Sequence, residues 1–176
     1  LRWYNEIHGL KFVALRYFNA AGADQSGGIG EAHDPETHLI PNVLGSLLRG
    51  GRTLKVFGDD YETHDGTCVR DYVHVNDLAQ AHLLGLDFLE KESGFHVFNL
   101  GNGSGYSVLD VVKACSDVAK CGVDFEVAPR RVGDPASLVA DSRIAMKKLG
   151  WEPEFGALME IVSSAWLWHK SGNIQQ

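Results

Sequence analysis

Two kinds of apolar pattern alternate along the chain. LKFVAL (10–15) is an almost unbroken apolar run, as expected of a strand buried on both faces of a parallel sheet. FHVFNLG (95–101) reads the same way, and LKVF (54–57), CVRDYV (68–73) and VDFEVAP (123–129) are shorter strands. Between them lie stretches of helical period. HLIPNVLGSLLRGG (38–51) has Pro41 in its first turn and Gly50–Gly51 as a stop. LAQAHLLGLDFLE (78–90) follows Asn76 or Asp77 as cap, and VLDVVKACSDVAK (108–120) follows Ser107. SRIAMKKLG (142–150) ends on Gly150, and FGALMEIVSSAWLWHK (155–170) is the last amphipathic helix. RYFNAAGADQSGGIG (16–30) and RRVGDPASLVAD (130–141) read as loops. This alternation predicts an α/β fold with parallel pairing. The opening, LRWYNEIHG, reads as the last turns of a helix capped by Gly9 and lacks an initiator methionine, so the chain is expected to be a piece of a longer protein.

Composition narrows the function classes. At 176 residues and 44% hydrophobic, the chain can bury a core. Its net charge of −7 argues against a nucleic-acid surface, so an anionic ligand must be held by a few placed arginines. An odd cysteine count without C-x-x-C spacing (Cys68, Cys115, Cys121) fits thiols in a reducing cytoplasm. No apolar run approaches the ~20 residues of a membrane span, and no signal peptide opens the chain.

Three features invite chemistry. GNGSG (101–105) imitates a dinucleotide turn, but Tyr106 stands where the last glycine of G-x-G-x-x-G belongs, so it reads as a structural turn. His33, His38 and His64 lack the spacing of a helical zinc pair, and the acids around them read as a solvated loop; no metal is expected. Arg70, Arg130 and Arg131 are different. A guanidinium fork matches phosphate oxygens, and arginines on two separate segments make a pyrophosphate clamp, with Asp134 nearby to accept from a ribose hydroxyl.

LRYFNAAGA, DGTCVRDYVHVNDLAQAH, FNLGNGSGYSVLDVV and APRRVGDPASLVAD…LGW, in that order, resemble the C-terminal half of the UDP-glucose/UDP-galactose 4-epimerases, members of the extended short-chain dehydrogenase/reductases. The resemblance implies the terminal strands of a Rossmann-type parallel sheet (10–18 and 95–101) plus a small mixed α/β substrate-binding domain, within a C-terminal half covering 1–176. It implies an NAD-dependent interconversion of UDP-sugars through a 4-keto intermediate. Phe18 would lie beside the nicotinamide, and Asn19 would contact the phosphate–sugar region. Leu39, with His38, would line the nucleotide pocket, and Lys55, Val56 and Phe57 would hold the uracil through their backbone. Arg70 and Arg131 would grip the diphosphate, Asp134 a hydroxyl, and Leu138 would line the hexose pocket, leaving room for an N-acetyl group.

The family's Ser…Tyr-x-x-x-Lys set has no counterpart here: Tyr4 is followed at position 8 by His8. No catalytic residue is therefore expected within 1–176, and the chain alone is expected neither to hold NAD nor to turn over. The parent is expected to be a homodimer, and the isolated chain to self-associate through strands that lack neighbours. Two alternatives stay open: an epimerase of another UDP-sugar (N-acetylhexosamine, pentose or uronate), and a short UDP-sugar-binding module.

Overall fold

The computed structural model describes residues 1–50 and 53–172. The expected stop at Gly51 lies outside the described residues, but Gly50 does cap its helix. Helix α1 (Arg2–His8) ends on Gly9 in the left-handed conformation. Strand β1 (Phe12–Tyr17) runs parallel to β6 (Phe95–Leu100), in register from Phe12 opposite Phe95 to Tyr17 opposite Leu100. Among the described residues β1 has no second partner, and only Phe12 in it is buried. The burial expected on both faces is thus not realised within this chain. Trp3, Tyr4 and Ile7 of α1 are likewise exposed.

CVRDYV is not one strand. It divides at Asp71 into β4 (Val69–Arg70) and β5 (Tyr72–His74). Strand β5 pairs with β2 (Asn19–Ala21), inside the segment expected to be a loop. Strand β4 pairs with β7 (Tyr106–Ser107) and with β9 (Ser137–Leu138), so RRVGDPASLVAD also contains a strand. The division has a physical cause. The buried Asp71 carboxylate accepts backbone N–H bonds from Asn102 (3.0 Å), Gly103 (3.1 Å) and Ala140 (3.1 Å), which turns its residue out of any ladder. A last parallel pair joins β3 (Leu54–Phe57) to β8 (Phe125–Ala128).

Two cores result. One is built by α2 (Leu39–Arg49), α4 (Val108–Ala119) and α6 (Leu158–Lys170), with Leu44, Val111 and Ile161 fully buried. The other lies under β6, between α3 (Val75–Lys91) and α5 (Arg143–Leu149), around Trp151 and Leu100. Ser107 caps α4 as expected, in a reciprocal capping box with Asp110. The cap of α3 differs from expectation. It is His74, whose Nδ1 accepts from Asn76 N–H (3.1 Å). Asp77 is drawn away, accepting instead from Glu154 and Phe155 N–H.

His74 also carries a pH dependence. Because Nδ1 accepts a backbone N–H, the proton sits on Nε2, which donates to Ser164 Oγ (3.0 Å). Burial pushes the imidazole's pKa down, against the smaller upward pull of Asp77, Glu160 and Asp24. His169 is shifted down in the same way by burial. The unfolded chain therefore binds more protons than the folded one just below the ordinary histidine pKa. These groups contribute stability that is complete above about pH 6.5 and is lost as pH falls through their lowered values. His38, raised chiefly by its bond to Glu31, works in the opposite sense. Urea unfolding at about pH 7 and about pH 5 should show lower stability at the acidic value. His74→Asn, already weaker at neutral pH, should show a smaller difference between the two. An equal difference in both proteins would remove His74 as the cause.

Candidate functional site

A cleft of about 570 Å³ opens between the N-terminus of α2, strand β3 and the segment after β8. Of the residues expected at a ligand site, Asn19, His38, Leu39, Lys55, Phe57, Arg70, Arg131 and Asp134 line it together. They come from five separate stretches of chain. Phe18 lies instead in an adjoining cavity of about 250 Å³, which shares Asn19, His38, Leu39 and Tyr72 with the cleft. Val56 is buried behind its strand, so only the Lys55 and Phe57 side chains reach the cleft. Leu138 sits opposite Arg70 on β9 and lines neither cavity.

The three arginines separate. Arg70 is anchored: it donates to Val69 O (2.7 Å) and Pro135 O (2.9 Å) and pairs with Asp134 at 2.5 Å. Its charge is already paired with one carboxylate oxygen of Asp134. Arg131 makes no ion pair among the described residues; its guanidinium lies over the Phe57 ring, 4.1 Å from the centroid. Arg130 leaves the cleft altogether. It pairs with Asp60 (2.5 Å) and lies over Tyr61, 4.2 Å from the centroid. Arg70 and Arg131 therefore share the cleft, and Arg130 is a surface group.

Other lining residues carried no sequence signal. Tyr72 and Cys68 form the buried floor of the cleft, and burial pushes both their pKa values up, which keeps them neutral. Asn42 donates to His38 O (2.9 Å) and steadies the first turn of α2. Asn19 donates through Nδ2 to Asp71 O (2.8 Å), leaving its carbonyl oxygen for the cavity side. The loop before α2 also departs from expectation. Glu31 and Glu36 are largely shielded, and with His33 and His38 they converge instead of pointing separately into solvent.

Residues 1–101 match the NAD dependent epimerase/dehydratase family. The chain belongs to that family. It is 53% identical over 168 residues to a UDP-glucose 4-epimerase of Halalkalibacterium halodurans, covering 96% of this chain and 50% of that protein. The structure of a Bifidobacterium longum UDP-glucose 4-epimerase in complex with NAD+ and UDP superposes with a TM-score of 0.91 at 38% identity, covering 99% of this chain and 52% of that one. A Brucella ovis UDP-glucose 4-epimerase in complex with NAD superposes at 0.88 with 45% identity, covering 93% and 50%. The chain spans about half the length of the epimerases it matches. No helix among the described residues is long and apolar enough to cross a membrane.

For an NAD-dependent epimerase family member, the described residues fit the cofactor only in part. Phe18, 40% exposed at the end of β1, offers an aromatic face beside the smaller cavity. The GNGSG turn offers no pyrophosphate cradle. A Cβ at Gly101 would lie 2.4 Å from Asp71 Oδ2, and one at Gly105 2.7 Å from Val139. Those glycines admit protein atoms, so the turn is structural.

Proposed function

We propose that this chain is the substrate-binding half of an NAD-dependent UDP-hexose 4-epimerase and that its cleft holds the UDP moiety of the nucleotide sugar. The observation that carries this reading is the convergence of Arg70, Arg131, Asp134, Asn19 and β3 on one cleft. Arg131, stacked on Phe57 and without an ion pair among the described residues, presents its fork to a diphosphate, and the anchored Arg70 supplies a second cation at fixed position. Strand β3 pairs only with β8 among the described residues, which leaves its other edge for hydrogen bonds to a uracil. Asp134 holds Arg70 with one oxygen and keeps the other for a hydroxyl. Phe18 lines the smaller cavity, next to Asn19, which lines both, and would flank the nicotinamide, the hydride carrier at C4 of the sugar. Proton transfer at that carbon needs an acid–base group within about 3 Å of the hydroxyl, and no tyrosine in 1–176 has lysine four residues on. That group therefore belongs to another part of the working enzyme, as does the pyrophosphate cradle for NAD.

The test is conversion of UDP-galactose to UDP-glucose, followed by NMR with NAD present. A polypeptide of residues 1–176 should be inert. The same residues fused behind the N-terminal half of the Halalkalibacterium halodurans protein should turn over. A fusion that folds and retains NAD yet stays inert would overturn the reading. Leu138 lies on β9 outside both cavities and is smaller than an aromatic residue, so it obstructs neither, which favours acceptance of an N-acetyl sugar. Running the fusion on UDP-N-acetylglucosamine measures that directly, and turnover restricted to unacetylated sugars would refute it.

A further inference from the structure

Four side chains with metal-ligand chemistry meet on the lip between the two cavities. Glu31 and His38 line the smaller cavity, and Glu36 and His38 line the cleft. We propose that Glu31, His33, Glu36 and His38 form a binding site for one divalent transition-metal ion of the zinc class.

One donor atom from each residue lies within 4.8 Å of all the others. His33 Nδ1 is 2.9 Å from Glu31 Oε1 and 3.9 Å from Glu36 Oε1. His38 Nδ1 is 3.8 Å from Glu36 Oε1 and in contact with Glu31 Oε1. Zinc bonds of about 2.0–2.2 Å in a tetrahedron separate donors by roughly 3.3–3.6 Å, so these spacings bracket what the ion requires. Two imidazoles with two carboxylates select zinc-class ions over magnesium or calcium, which prefer oxygen throughout.

The ligands are held from outside the cluster. Glu36 Oε1 accepts N–H bonds from Thr37 (2.7 Å) and His38 (2.8 Å), fixing its carboxylate at the entry to α2. Trp168 Nε1 donates to Glu31 O (2.9 Å), and Gly30 packs so closely on that indole that a Cβ would lie 2.3 Å from the ring. The carboxylates are shielded, at 18% and 20% side-chain exposure, whereas His33 and His38 are 56% and 57% exposed. An ion can therefore enter from solvent, and a dication would relieve the repulsion between two close carboxylates. A second cluster, His64 with Asp65 and Asp110, differs in offering a single imidazole, and its acids are tied to the cap of α4. Asp65 accepts from Thr67 and Ser107, and Asp110 accepts from Ser107 N–H.

The test is a zinc titration of the protein against a chromogenic chelator in buffer containing excess magnesium. One zinc per chain is expected, undisturbed by magnesium. His33→Ala should weaken it by about tenfold or more, and His64→Ala should leave it unchanged. His33 is well exposed and lines neither cavity, so its replacement threatens neither the fold nor UDP binding. Zinc and UDP titrations of the same variant thus read the two sites separately. Absence of bound zinc, its displacement by magnesium, or wild-type affinity in His33→Ala would each overturn the site.

Discussion

Asp71→Ala should lower stability to urea by about 3–5 kcal/mol, the largest loss expected from any single change near the cleft. The carboxylate is 1% exposed and holds three backbone N–H groups belonging to three different positions, Asn102, Gly103 and Ala140. Alanine would strand all three donors in a buried place, and each unsatisfied donor costs about 1–3 kcal/mol, with partial recovery from water entry. Asp71→Asn should also destabilise, because an amide offers one acceptor where two are used and presents its own N–H groups to the others. The same anchor positions β4 and the loop that carries Arg131 and Asp134, so both variants should weaken ligand binding as well. A loss below about 1 kcal/mol in urea unfolding would show that Asp71 does not organise this region.

Much of the architecture was legible because its signals are local. The left-handed glycines after α1 and α5 and the Ser107 cap of α4 each follow from neighbouring residues. The role of Asp71 was not legible, since its partners lie 31 to 69 positions away and carboxylates in Arg-Asp-Tyr have no intrinsic reason to be buried. That contact divides CVRDYV and explains why GNGSG needs Gly101. Arg130 and Arg131 could not be told apart by type or spacing. Alternation along the chain sends one to Asp60 and Tyr61 and the other to Phe57 in the cleft. His33 and His38 lacked a recognisable ligand spacing because their convergence depends on a loop fold fixed by Trp168 and by the cap at Glu36. The apolar runs at β1 and β6 predicted burial on both faces, and that expectation goes unmet where β1 has a single described partner.

Arg131→Ala should weaken UDP binding by roughly ten- to a hundred-fold, the worth of about 1.5–3 kcal/mol for a charge-assisted contact to phosphate. Its guanidinium is preorganised on Phe57 and, among the described residues, has no carboxylate to leave before meeting a ligand. Arg70→Ala should weaken binding by at least as much. It removes one cation and also leaves Asp134, formerly paired at 2.5 Å, facing the diphosphate as an uncompensated anion. Arg130→Ala is the internal control, with the same charge removed one residue away but outside the cleft. The central claim is that this cleft recognises a nucleoside diphosphate, and calorimetric titration of UDP into the wild type and these three variants tests it most directly. One UDP per chain is predicted, with affinity lost in Arg70→Ala and Arg131→Ala and kept in Arg130→Ala. No binding by the wild type, or equal affinity in all four proteins, would contradict it.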